Sequence, residues 1–445
     1  MSMSFIIACE NGKRKIAELL LQNNEVDVQY ADEKGRTALH YAAHRGYLDL
    51  VKTLVNAGAA LNYEDHQGET ALYFAALQKQ KQTFLFLLEQ GANASINDLQ
   101  GNSLLHVMAR TGQLELLQPL IDAGIDVNGE NNQAQTALLL AASSRHTALA
   151  RKLLEFGATV DHTDKQGNTA LLLAVASKNA ILSDLLLEYG ASIDHGNHQE
   201  ERPLLIACYQ GNKPLIFKLI EQGADIYGTN KDGLSPIWYA CAHNQKDVMQ
   251  LLLEKGLDVN YSRPVTGNEQ YLYGYLDWVE TNSNLSIDAQ LNLHPQQTHG
   301  GESLLHLAVK NAHMSMVQLL LQRGAAINIQ DESGNTALHY AAANGKKDIV
   351  RYLLEQQADP HIVNVKEQKA IDYANSKGFT EITALLIQHG STAGKAKVAN
   401  AVQATAPSSS IDKKKALLDL KELLDAGILT QAEFDQEKNK VLSAS

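Results

Sequence analysis

The stretch Asp32–Asn62, DEKGRTALHYAAHRGYLDLVKTLVNAGAALN, decides how the rest of the chain is read. Gly35 follows three polar residues and suits the positive-φ position of a tight turn. Thr37 stands where a helix begins and offers its side-chain oxygen to the free N–H groups there. Leu39, Ala42 and Ala43 give a short helix one apolar stripe of small residues, and Gly46 fits its C-terminal stop. A second helix carries Leu50, Val51, Leu54 and Val55 on one face and ends at Gly58. So short a unit of turn, helix, turn and helix cannot bury its apolar faces alone. It requires copies of itself.

The copies follow at intervals of 33 residues. Thr37 recurs as Thr70, Ser103, Thr136, Thr169, Arg202 and Ser235, then as Ser303, Thr336 and Lys369. Gly58 recurs as Gly91, Gly124, Gly157, Gly190, Gly223, Gly256, Gly324 and Gly390, with Gln357 as the exception. The unit D-x-x-G-x-T-A-L-H…G…L-L…G-A resembles the ankyrin repeat over about residues 1–392. The resemblance implies an all-α solenoid of about eleven repeats, with a β-hairpin finger at each junction and a concave face lined by inner helices and fingers.

Composition narrows the partners. The 445 residues are 44% hydrophobic and 20% charged, ordinary for a soluble protein. No apolar run approaches the roughly 18 residues of a membrane span. In MSMSFIIACENGKRK the positive charge follows a short apolar patch, which does not fit a secretory signal. A net charge of −12 argues against nucleic acid and anionic membrane and permits a basic protein. Cys208 and Cys241 occupy the slot of Ala43, and Cys9 does so if the first repeat is shifted by one residue. All three are expected to be buried packing thiols in a reducing, cytoplasmic setting.

Taken in order, the first repeat (about 3–29) is irregular, with Met3 at the cap position and Asn24 in place of the stop glycine, as a terminal capping repeat would be. His40 recurs as His106, His306 and His339, and becomes Tyr73, Leu139, Leu172, Leu205, Trp238 or Asp372 elsewhere, which looks like packing variation. The register breaks once. Ser235 and Ser303 are separated by one period plus 35 residues, and the stretch 261–299 holds Tyr261, Tyr271, Tyr273, Tyr275 and Trp278. It reads either as an inserted finger or as a degenerate repeat, and the missing D-x-x-G-x-T signal favours insertion. The flanking apolar faces, Val248, Leu251 and Leu252 before and Val317, Leu319 and Leu320 after, want a neighbour. The repeats are therefore expected to meet across the break, with the insertion extruded beside Tyr209 and Leu234. Residues 393–410 are Ala/Ser-rich and read as a flexible linker. In 411–445, Leu417, Leu420 and Leu424, the stop Gly427 and the capping box Thr430–Glu433 resemble the short C-terminal domain called SHOCT. A hairpin so small needs self-association or docking on a partner.

No phosphate loop, H-E-x-x-H helix, C-x-x-C pair or nucleophile elbow occurs, so no catalytic residue, cofactor or metal is expected. His306, His339 and Asp372 share one slot, but helices 8–10 Å apart keep such ligands from converging at about 2 Å. In ankyrin proteins partners are read by the finger tips and by two residues after the A-A pair. Carried over, these positions are Arg36, His44 and Arg45, then His66, Leu77 and Arg110. Toward the break they are Tyr209, Gln210, Lys231, Leu234 and His243. Further tip positions include Gln67, Gln100, Gln133, Gln166 and Gln199, and the insertion adds Tyr271, Tyr273, Tyr275 and Trp278. The expectation is a non-catalytic scaffold that binds another protein. Its SHOCT-like tail suggests a bacterial source, and bacterial ankyrin effectors act in a host-cell cytosol. The rival is an enzyme whose site is built by the insertion, with Asp277, Trp278, Glu280, His294 and His299.

Overall fold

The computed structural model describes residues 2–23, 26–263 and 301–390, together with Lys421, Phe434 and Lys438. By contacts the chain divides into two units, Met1–Lys231 and Asp232–Ser445. Each described part is an all-α stack of helix pairs, and among the described residues there is no strand.

In the first unit the inner helices are Ser2–Glu10, Ala38–Arg45, Ala71–Leu77, Leu104–Thr111, Ala137–Ser143, Ala170–Ala176 and Pro203–Tyr209. Within this unit consecutive inner helices pack on one another, and each packs on its own outer helix. The contact faces are the small and branched residues that the pattern marks: Leu39, Ala42, Ala43, Leu50, Val51 and Leu54 are all fully buried. Ser2–Glu10 begins before Met3, so Met3 lies inside the first helix rather than capping it. One outer helix is irregular. Leu114–Leu116 forms a 3₁₀ turn before Leu117–Asp122, where Pro119 has no N–H to close the α-helical bond to residue 115.

Three turns in each repeat need a left-handed residue, and every non-glycine with positive φ fills one of them. Lys79, Arg145, Lys178, Asn244 and Ala312 stand between inner and outer helix. Ala134, Glu200 and Glu367 take the finger slot of Gly35, and Gln357 takes the slot of Gly58. The fingers themselves are turns rather than paired strands. In the finger of repeat two, the Asp32 N–H donates to Arg36 O at 3.0 Å and the Gly35 N–H to Asp32 O at 2.9 Å. The Asp32 carboxylate accepts from the Lys34 and Arg36 N–H groups, both at 2.9 Å. The side chain takes over pairing that a second strand would supply, and one isolated bridge, Ala31 to Thr37, remains.

The second unit repeats the scheme with inner helices Pro236–Ala242, Leu304–Lys310, Ala337–Ala343 and Ala370–Ser376. Pro236–Ala242 packs directly on Leu304–Lys310, and Lys246–Glu254 on Met314–Gln322. The break in register therefore leaves the stacking intact. Asn260 Oδ1 accepts from the Ala326 N–H across 66 residues, as Asn62 Oδ1 accepts from Asn93 across 31. His313 Nε2 reaches Ala242 O across 71 residues, as Gln80 Nε2 reaches His44 O across 36. The surplus is 35 in both pairs.

That surplus enters at one finger tip. The Arg263 N–H donates to Glu302 O at 3.0 Å and the Gly301 N–H to Arg263 O at 3.1 Å, and Ser262 bridges Ser303. These are the bonds of Asp32, Gly35, Ala31 and Thr37 again. Between Arg263 and Gly301 the sequence carries 37 residues, where the finger of repeat two carries only Glu33 and Lys34. Tyr261, Ser262 and Arg263 thus belong to the finger, and Tyr261 donates its hydroxyl to Gly233 O at 2.9 Å.

Candidate functional site

The slot of His40 is a hydrogen-bond relay between repeats. Its Nδ1 accepts from the Thr37 N–H at 3.0 Å, which leaves the proton on Nε2 to donate to Tyr63 O and Glu69 O of the next finger. His106 and His339 do the same toward Gln135 O and Gln368 O. Tyr73 keeps the bridge by donating its hydroxyl to Asp98 at 2.6 Å. Where the slot holds Leu139 or Leu172, a histidine of the following finger takes over: His162 Nε2 reaches Ala134 O and His195 Nε2 reaches Gly167 O. Asp372 accepts from the Lys369 N–H at 2.7 Å. The variation at this slot is therefore exchange of hydrogen-bonding partners, not packing alone. It also engages His306, His339 and Asp372 in separate caps. Among the described residues no group of three or more His, Cys, Asp or Glu side chains could hold a metal ion.

The thiols are equally committed. Cys9, Cys208 and Cys241 are unpaired and buried. Burial pushes Cys9 and Cys208 up to about 12 and raises Cys241 as well, so none is a thiolate near neutral pH.

Several candidate binding residues are framework. Arg36 pairs with the buried Asp65 at 2.8 Å and with Glu69 at 3.3 Å, and lies 4.6 Å above the Phe74 ring. Gln210 donates its amide to Ala176 O at 2.9 Å. Arg45 is exposed, with Nε directed to Glu10 O at 3.2 Å, and His44 is half-buried near Phe74. Leu77 is half-buried, whereas His66, Arg110 and Lys231 are exposed. Tyr209 is 59% exposed and Leu99, on a finger tip, 62%. In the second unit His243 is exposed, Leu234 is half-buried and Trp238 is core. Tyr271, Tyr273, Tyr275 and Trp278 lie outside the described residues, as do Asp277, Glu280, His294 and His299 of the enzyme reading.

Motif reading passed over Glu302. It stands in the slot of Arg36, beside the root of the insertion, and has no exposed surface. Lys310 approaches its Oε1 at 3.1 Å, and Tyr340 donates its hydroxyl to Asp331 at 2.6 Å and toward Glu302 at 3.4 Å. The available signal was weak: the slot elsewhere carries Arg36, amides, Leu234 and two further acids, Glu69 and Glu201.

A family model described as ankyrin repeats (3 copies) matches residues 5–98, 105–197, 184–263, 279–364 and 305–399. The chain belongs to the ankyrin-repeat family. A second model, the short C-terminal domain SHOCT, matches residues 415–442 of this ankyrin chain. No curated protein matches the chain closely enough to be compared with it. Ankyrin repeats are generally protein–protein interaction modules and are typically non-enzymatic. Among the described residues no helix is long and apolar enough to cross a membrane.

Proposed function

We propose that this ankyrin protein is a non-catalytic scaffold that holds a partner protein on its finger tips and inner-helix ends. The supporting observation is Tyr209, an aromatic side chain 59% exposed at the end of an inner helix. Exposed aromatics on a rigid support are the residues that become interface anchors. Arg110, three periods earlier in the same slot as Tyr209, is also exposed. The stretch 264–300 follows Arg263, whose Nε donates to Asp232 O, while Tyr261 donates to Gly233 O, both in the finger that carries Leu234. The aromatics of that stretch would supply contacts of their own, and residues 411–445 would dock or self-associate. Delivery into a host cell accords with the resemblance to bacterial ankyrin effectors and is tested by a translocation reporter fused to the full chain.

The test of the scaffold reading is capture of a partner by the full chain and by Tyr209→Glu and Arg110→Glu. Loss of a specific partner by roughly tenfold or more, with helical content unchanged, is expected. Unaltered capture by both variants would remove the face from consideration.

A further inference from the structure

We infer that the finger tips of the first unit grip the main chain of a polyproline II segment through a row of five glutamines. The inference rests on the scaffold reading and gives its partner a chemistry. Gln67, Gln100, Gln133, Gln166 and Gln199 occupy one slot in five consecutive fingers, and all are exposed. Each backbone is held from both sides. The N–H groups donate to the side-chain oxygens of Asp65, Asp98, Asn131, Asp164 and Asn197 at 2.8–2.9 Å. The carbonyls accept from the N–H of the next tip at 2.9–3.1 Å. The row is therefore fixed in position while its amides remain available: among the described residues none of the five side chains makes a hydrogen bond.

Spacing selects the ligand. Each glutamine belongs to one repeat, and the inner helices of successive repeats pack on one another. Successive glutamines are thus about 9 Å apart, within the 8–10 Å between packed helices. A polyproline II chain repeats every three residues, or about 9.3 Å, and its carbonyls have no internal partners. A β-strand presents one face every ~6.8 Å and an α-helix every 5.4 Å, so neither keeps step with the row. Each glutamine offers two donors and an acceptor without charge, which suits a main chain rather than an ionic side chain. The residues before the glutamines are His66, Leu99, Asn132, Lys165 and His198. None of these ten residues is a carboxylate, although Glu200 follows Gln199 and the chain carries −12 overall. The segment accommodated is proline-rich, neutral or acidic, and about 13 residues long.

Fluorescence anisotropy of the full chain with a labelled oligoproline of about 15 residues tests this. Affinity should grow with oligoproline length up to about 13 residues and change little with salt. It should fall roughly tenfold or more in the triple variant Gln100→Ala/Gln133→Ala/Gln166→Ala, from three hydrogen bonds of about 0.5–1.5 kcal/mol each. A Gly/Ser peptide of equal length should bind more weakly. Failure of oligoproline to bind, or equal binding by the folded triple variant, overturns the inference. A protein partner that the triple variant still captures and Tyr209→Glu does not would leave the scaffold reading standing without it.

Discussion

Glu302 is a carboxylate side chain with no exposed surface. Its compensation is Lys310, itself only 13% exposed along the side chain. Removing one partner of a buried pair leaves the other uncompensated, at about 3–5 kcal/mol. Lys310→Met should therefore lower the urea midpoint strongly, and a change below about 1 kcal/mol would show that Glu302 is held by other means. The buried histidines act in the opposite chemical sense. Burial lowers His40, His106, His306 and His339 from the ordinary histidine value. The unfolded chain then binds protons that the folded chain refuses. Their stabilisation is complete above about pH 6.5 and is lost as pH falls toward the depressed folded values. Melting temperature should drop between about pH 6.5 and 5, and His106→Gln should flatten that drop. Gln357 offers a gain. Its φ of 67° suits glycine, and at the equivalent Gly58, Gly91, Gly124, Gly157, Gly190, Gly223 and Gly324 an added Cβ meets nothing within 4 Å, so backbone strain is the main issue. Gln357→Gly should stabilise the second unit by about 0.5–1 kcal/mol.

At the level of the repeat, the pattern of glycines, caps and apolar stripes was enough to place the helix pairs of the regular repeats, though not the start of the first helix, which contains Met3. It worked because a short helix pair has few ways to stop and few faces to bury. What it missed were pairings between repeats. A period reveals that Leu139 has lost a histidine, but not that His162 of the next finger has replaced its bond, because the two lie 23 residues apart and share no slot. The same limit applied to the break: aromatic density drew the boundary at Tyr261, whereas backbone bonds place it after Arg263. Replacing 264–300 by the two residues Glu-Lys should therefore give a chain that folds and melts at least as high as the parent, followed by circular dichroism. Collapse of the second unit would mean the segment carries structure of its own. The candidate surface was less legible than the fold. Arg36 and Gln210 look like free polar positions in sequence and are spent on neighbours, while the glutamine row consists of residues too common to stand out one at a time.

For the whole molecule, stability is a sum over neighbouring repeats, and residues beyond 392 are joined to that sum through an Ala/Ser-rich stretch. A chain ending at residue 392 should accordingly melt within about 2 °C of the full chain. A larger fall would show that the C-terminal domain docks on the repeats. The closed finger at Arg263 and Gly301 has a consequence for the history of such a chain. Because the turn's own bonds form whether two residues or thirty-seven lie between its ends, selection on the repeats and selection on the tip are decoupled. Entropic cost there grows only with the logarithm of length, about 0.6 kcal/mol for each doubling. New sequence can be tried at that point, lengthened or exchanged, while the bonds that hold repeat to repeat are inherited unchanged.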